Sequence, residues 1–363
     1  MRQFLRRILH GAKPRICADV ALWARAKGLP VLEIHPPIDE EIAEIAAIDA
    51  VAKSEFVLHR ADLKRPQNLV VLDRAVVRDR TGFVRLPDGS FCQQGTWFRP
   101  YLEQHPSYKA RFRRKRFLSG SIYSLLGLWS GEFYHWFHDT LPRLLTALPH
   151  LPSDTRFLIH ANPRSYQLES LEALGIGPDR LESQWVRGDT VVESLWFATP
   201  IGHSTFTSGR VLRLLAQRLQ KAFGATRGDA PDARIYISRH KAQCRRIDNE
   251  AVIASLLRES GFTSITCEDL SYRDQVRLFT RAKYVIGPHG AGLVNTIFCC
   301  QGSNVGEINA ASNPCYLAIA NQLGLNFSRF GAICADSMNS RENMKVDLDV
   351  FAQELRRFLG DAT

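Results

Sequence analysis

The stretch Tyr284–Asn309, YVIGPHGAGLVNTIFCCQGSNVGEIN, decides how the rest of the chain is read. Tyr284, Val285 and Ile286 form an apolar run too short for a helix and β-branched enough for a buried strand. A tight turn follows at Gly287, Pro288, His289, Gly290, Ala291 and Gly292. Leu293, Val294, Ile297 and Phe298 then recur at helical spacing, and a second apolar run, Ser303 to Ile308, carries Glu307 near its end. The spacing predicts strand, glycine turn, helix, loop and strand, with a carboxylate at a C-terminal strand end.

That order suits an anion. Glycines accept φ > 0 and let a ligand approach the backbone. The first N–H groups of the helix, with its dipole behind them, attract phosphate. A carboxylate on the next strand can accept bonds from ribose hydroxyls. An ordinary tight strand-to-helix turn reads the same way, but it has no use for the imidazole of His289. The spacing G-x-x-G-x-G is neither G-x-G-x-x-G nor a P-loop, which excludes a nicotinamide or ATPase site on spacing.

Upstream, strands and helices alternate. Thr155–His160 reads as a strand, Tyr166–Leu174 as a helix closed by Gly175, Leu195–Phe197 as a strand, and Arg210–Phe223 as a helix ending at Gly224. The polar segment ATRGDAPDA after Gly224 is the best linker candidate. Beyond it come the strand Arg234–Arg239, the helix Asn249–Ser260, the strand Ser264–Glu268 and the helix Tyr272–Ala282. This pitch predicts an α/β fold with a parallel, doubly wound sheet, which binds ligands beyond its C-terminal strand ends. Arg239 stands at such an end, and Lys241, Arg245 and Arg246 follow in one loop. Guanidinium groups match a diphosphate through parallel bonds, although a basic surface loop has the same composition.

Nearer the N-terminus, Pro36-Pro37 is followed by a helical stripe of Ile38, Ile42, Ile45 and Ile48. From Asn68 to Cys92 the pattern alternates, predicting a small antiparallel meander with turns at Arg80-Thr81-Gly82 and Pro87-Asp88-Gly89. Ser121–Leu128 reads as a strand leading into the helix EFYHWFHDTLPRLLTAL, from Glu132 to Leu148. There His135 and Asp139 lie at i and i+4, one above the other. Pro142 clashes with the carbonyl of His138 and bends the helix. The pair is either an acid–base site or a histidine satisfied by its neighbour, and spacing leaves both open.

The 363 residues suffice for two domains, and 45% hydrophobic composition marks a globular chain. No apolar run approaches a membrane span, and the charged N-terminus lacks a signal-peptide core. Eight scattered cysteines without a zinc spacing suit reduced thiols, so a cytoplasmic protein is expected. The net charge of +10 suits acidic partners. One basic cluster, Arg2 to Arg15, could place Phe4, Leu5, Ile8 and Leu9 on an anionic membrane, making the protein peripheral there, or could simply be a solvated end. The other, Lys109 to Phe117, lacks the aromatic stacking and module of a nucleic-acid site, so no nucleic acid is expected. Asp347-Leu348-Asp349 opens a last helix, Val346–Leu359, where aspartates cap free N–H groups; no metal and no cofactor are expected.

Three stretches together resemble glycosyltransferase family 61: YHWFHDTLPRL from Tyr134, YISR with RRIDNE between Tyr236 and Glu250, and GPHGAGLVNTIF with VGEI between Gly287 and Ile308. The resemblance covers about half the chain. It implies a GT-B-like architecture of two Rossmann-like doubly wound domains facing across a cleft. The expected division is an acceptor-side domain at 1–224, a nucleotide-sugar domain at 225–340, and a closing helix at 341–363 that returns to the first. It implies an inverting, metal-independent transfer of sugar from a nucleotide-sugar donor, UDP-linked, to a glycan or lipid-linked acceptor in capsular or other surface polysaccharide synthesis. By match, Asp139 is the general base, Arg239, Arg246, His289 and Gly290 hold the donor diphosphate, and Glu307 is the nucleotide-side carboxylate. Gly292 joins the donor site through the glycine turn, and His135 orients Asp139, bonds the acceptor or is itself the base, which spacing leaves open. One rival is a metal-dependent phosphate-ester hydrolase using His135, His138, Asp139 and His289. Another is a non-catalytic nucleotide-sugar-binding protein of the same fold.

Overall fold

The computed structural model of the protein describes residues 15–35, 66–95, 99–109, 113–202, 205–226, 231–311, 313–334 and 341–360. The helix expected after Pro37 and the apolar face from Phe4 to Leu9 lie outside these residues. The chain forms two compact units. The first takes residues up to 35, Pro66–Arg164 and Ile176–Ile201; the second takes Ser165–Gly175 and the chain from Gly202 onward.

The first unit holds β1 (Ile16–Cys17), β2 (Val31–Ile34), β3 (Gln67–Asp73), β4 (Val76–Arg78), β5 (Phe83–Arg85), β6 (Phe91–Cys92), β7 (Lys115–Ser124), β8 (Arg156–Ile159), β9 (Leu181–Ser183) and β10 (Asp189–Ala198). They share one 10-stranded sheet organised around β10. β7 runs parallel to β10 on one side. On the other side β4 pairs with Asp189–Val191 and β3 with Ser194–Ala198, both antiparallel. The segment 68–92 is therefore not a self-contained meander. β4, β5 and β6 do pair in antiparallel succession, but β3 leaves them. Arg74, with φ 54°, offsets the chain so that β3 and β4 lie end to end along β10 rather than side by side. β10-β7-β8-β9 is a parallel array and β1 pairs parallel with β6, while the other pairings are antiparallel, so this unit is a mixed sheet and not a second, fully parallel one. Val70, Leu72, Val77, Ile122, Leu158 and Leu195 fill its core, each contributing about 1.5–3 kcal/mol by burial.

The second unit has β11 (Ala233–Ile237), β12 (Thr263–Ile265), β13 (Ala282–Pro288), β14 (Asn304–Asn309) and β15 (Asn326–Gly331). All pairings are parallel, in the order β12-β11-β13-β14-β15. Numbered from β11, this is 2-1-3-4-5, a doubly wound order whose winding reverses between β11 and β13. Burial on both faces explains why β13 reads as a continuous apolar run.

The boundary between units differs from the expected 224. The helix Gly209–Ala222 turns Val211, Leu212, Leu215 and Leu219 inward, all fully buried. Its Gln220 donates to Phe298 O and to Thr280 Oγ1, both at 3.0 Å. The helix Ser165–Ala173 joins the same unit, because Glu169 accepts from the N–H groups of Tyr272 and Arg273 at the start of the helix Tyr272–Thr280. Long-range contacts thus outweigh the linker-like composition after Gly224. The closing helix, Leu348–Leu359, also stays in this unit, with Phe351 against Phe330 of β15 and Phe358 against Tyr284 of β13. Asp347 caps it, Oδ1 accepting from the N–H groups of Asp349 and Val350 at 3.0 Å. Among the described residues no helix is long and apolar enough to cross a membrane. All eight cysteines are free.

Candidate active site

In the second unit, β11 and β13 are neighbours where the winding reverses, so the residues after each emerge at one sheet edge. These are Arg239 and the pair His289-Gly290. A Cβ placed on Gly290 would lie 2.0 Å from Arg239 Nη1 and 2.6 Å from its Cζ. Gly290 has φ 175°, extended backbone open to any residue. Glycine is required there because the guanidinium rests against its Cα. None of Gly287, Gly290 and Gly292 lies in the left-handed region, so these glycines admit neighbours rather than an unusual backbone. The following helix, Ala291–Phe298, is 3-10 in form.

Arg239 Nη2 donates to Cys244 O at 3.1 Å, while its Nε is buried without a hydrogen-bond partner. Burial pushes the Arg239 pKa down, and the Arg245 guanidinium adds to the effect. Arg245 has φ 57°, a left-handed conformation that costs a non-glycine residue about 1–3 kcal/mol, and its Nε is also buried and unpartnered. Neither arginine forms an ion pair among the described residues. A partly desolvated guanidinium beside a second cation at a sheet switch point is an arrangement that favours an anion.

The other residues expected to hold the donor are placed differently from one another. The Arg246 side chain is exposed; its N–H donates to Asn343 Oδ1 at 3.1 Å and its carbonyl accepts from Met344. Nothing in the sequence separates Arg245 from Arg246; the left-handed backbone at 245 does. Glu307 has no exposed surface. Its Oε1 lies 2.5 Å from His289 Nδ1, and its Oε2 lies 3.7 Å from Arg329 Nε. The register that pairs Gly287 with Glu307 brings this about. A carboxylate so enclosed presents no face to a ribose; it orients His289 through Nδ1. Tyr316 completes the turn, donating to Gly290 O at 2.6 Å. Burial pushes the Tyr316 hydroxyl pKa well up. Tyr316 and Arg329 lie far along the chain from the glycine turn, where no local pattern marks them.

In the first unit, the helix from Glu132 is interrupted as Pro142 requires. Phe133–His135 is α, Trp136–Thr140 is a π turn, and Leu141–Ala147 is α again. Pro142 has no N–H to offer His138, and the Leu141 N–H reaches back to Trp136 O instead. The π turn gathers three polar side chains. Asp139 Oδ2 accepts from His135 Nδ1 at 2.7 Å, and Oδ1 accepts from His138 Nδ1 at 2.8 Å. Each imidazole lies on an aromatic ring: His135 on Trp129 at 5.0 Å, and His138 on Tyr134 at 4.8 Å. His138 is buried at 1%, whereas the His135 side chain is 24% exposed and Asp139 10%. The His135 Nε2 carries no hydrogen bond among the described residues. Its Nδ1 proton is fixed by the carboxylate, so Nε2 has a lone pair available to accept a proton.

Among the described residues no three His, Cys, Asp or Glu side chains are grouped to hold a metal ion. Residues 133–306 match the family model described as Glycosyltransferase 61, a span that contains His135–Asp139, Arg239, Arg245 and His289-Gly290 and ends just before Glu307. Over 105 residues the chain is 31% identical to protein O-linked-mannose beta-1,4-N-acetylglucosaminyltransferase 2 of Canis lupus familiaris, a match covering 28% of this chain and 18% of that protein. The match thus spans less than a fifth of the relative's length.

Proposed function

We propose that this chain, a member of glycosyltransferase family 61 across residues 133–306, moves a sugar from a UDP-linked donor to a hydroxyl of a glycan or lipid-linked glycan. The reading divides the labour as a GT-B enzyme does, with the donor diphosphate held by the second unit and the acceptor proton removed by the first. The observation that carries it is the pair Arg239 and Arg245 at the switch point, buried Nε atoms without partners and one guanidinium seated on Gly290. A diphosphate supplies the acceptor oxygens and the negative charge these groups lack.

The reaction is a single displacement that inverts the anomeric carbon. The acceptor oxygen bonds to that carbon as the bond to the diphosphate oxygen breaks, and the electron pair leaves on the diphosphate. Arg239 and Arg245 stabilise the charge that develops there. The hydroxyl proton passes to His135 Nε2, while Asp139 holds Nδ1–H and balances the imidazolium formed. Asp139, the base implied by resemblance, has each oxygen engaged by an imidazole and less exposure than His135, which supports imidazole as the immediate proton acceptor. No step uses a metal, and transfer is expected to survive excess EDTA.

Calorimetric titration with UDP tests the donor site. Arg239→Ala is expected to weaken binding by about 1.5–3 kcal/mol, the worth of hydrogen bonds to a charged group. Equal affinity in variant and parent would remove Arg239 from the site and the diphosphate with it.

A further inference from the structure

The first unit carries a cationic feature of its own, on residues other than those of the His135–Asp139 helix. Around the start of β7 the arginines alternate between inside and outside. Inside, Arg113 lies 2.6 Å from Asp79 and 3.4 Å from Asp189, and Arg78 lies 3.4 Å from Asp189. Outside, Arg114 and Arg187 are exposed and form no ion pair among the described residues. Arg116 stands between these settings: its Nε donates to Thr190 Oγ1 at 3.1 Å and its Nη2 to Ser183 O. Burial pushes the Arg116 pKa down, with Glu182 opposing. Glu182 itself is paired with Arg156.

Arg114, Arg116 and Arg187 line one open groove of about 550 Å³, together with Trp185, Val186 and the backbone at Gly188. Among the described residues no carboxylate lines it, because the nearby acids are held on the buried side or by Arg156. Trp185 is 42% exposed. Its indole is seated on Gly188, where a Cβ would come within 2.4 Å of the ring. One face of the ring is thereby fixed by backbone while the residue stays on the surface. An exposed, positioned indole beside the exposed guanidiniums of Arg114 and Arg187 suits a ligand with both apolar faces and anionic groups. The volume lies in the range of small-ligand sites.

We propose that this groove binds a short acidic oligosaccharide, its carboxylates on Arg114, Arg116 and Arg187 and one sugar ring laid on Trp185. The choice of a saccharide rests on the glycosyl-transfer reading above; the requirement for an anion rests on the groove alone. A nucleic-acid strand fits less well, since it calls for several stacking rings along a track and the groove offers one.

Calorimetry of the full chain with tetragalacturonate, neutral maltotetraose and an oligothymidine of matched charge tests the proposal, with UDP titrated on the same samples. Tetragalacturonate is expected to bind and maltotetraose not to bind. The Arg114→Ala/Arg187→Ala pair, and separately Trp185→Ala, are expected to weaken tetragalacturonate at least about tenfold, or about 1.4 kcal/mol. UDP affinity should stay at the parental value in both variants. The groove assignment is overturned if tetragalacturonate does not bind, if both variants bind it as the parent does, or if oligothymidine binds more tightly. Failure of the parent to bind UDP would break the donor reading and leave uronate binding to be judged by its own variants.

Discussion

At Asp139 both carboxylate oxygens are occupied, by imidazole nitrogens at 2.7 and 2.8 Å that are themselves stacked on Trp129 and Tyr134. At Arg239 and Arg245 the opposite holds: two Nε atoms are buried with nothing to donate to. The first cluster is closed, each partner fixing the next; in the proposed reaction this sets the tautomer and direction of the base before the substrate arrives. The second is open and strained, bearing a partly desolvated guanidinium at Arg239 and a left-handed residue at Arg245. In the proposed reading an anion satisfies both groups.

The sharpest way to break this contrast is to disturb the closed cluster. His135→Ala is expected to lower transfer by roughly 10²–10⁴-fold with UDP affinity unchanged, since a base acts only in the chemical step. Asp139→Asn should fall into the same range, because an amide cannot hold the Nδ1 proton and balance an imidazolium as the carboxylate does. If His135→Ala costs little while Asp139→Asn abolishes transfer, the carboxylate itself takes the proton.

The closed part of the open site comes next. Glu307→Gln removes a fully buried charge from between His289 and Arg329 and is expected to cost about 3 kcal/mol of stability in urea unfolding. Parental stability would mean that the pair is not formed as described. Gly290→Ala probes the open part directly. Its methyl group would displace the Arg239 guanidinium, so UDP binding should weaken by about 1.5–3 kcal/mol, matching Arg239→Ala, and the double variant should lose little more. Additive losses would show that the two residues act separately.

The smallest effect belongs to a contact that is closed but carries no chemistry. Asp347→Ala should cost about 1 kcal/mol through loss of the helix cap, read as a lowered Tm, and leave transfer intact with and without EDTA. Loss of activity in that variant, restored by Mn²⁺, would make the aspartate a metal ligand.

Much of this was legible in advance where the information is local. The strand–turn–helix at Tyr284–Phe298, the alternation from Arg234 onward and the interruption of the helix before Pro142 each follow from contiguous residues. The roles of the glycines do not. Gly290 is needed because of Arg239, which lies 51 residues earlier in the chain, and the spacing of glycines is the same whether they serve φ or crowding. The domain edge was misplaced for a similar reason. ATRGDAPDA has the composition of a linker, but the helix before it buries its stripe against elements that follow.

The sequence by itself determined the periodicities: which segments are strands or helices, which ends carry cations, and that His135 and Asp139 share a face. Tertiary structure alone decided the pairings. It placed β3 and β4 end to end on β10, chose Arg245 over Arg246 as the neighbour of Arg239, and turned Glu307 onto His289. The physical reason is range. Backbone propensity and hydrophobic period act within a few residues, whereas desolvation, ion pairing and steric exclusion depend on which atoms the completed sheets bring within a few ångströms.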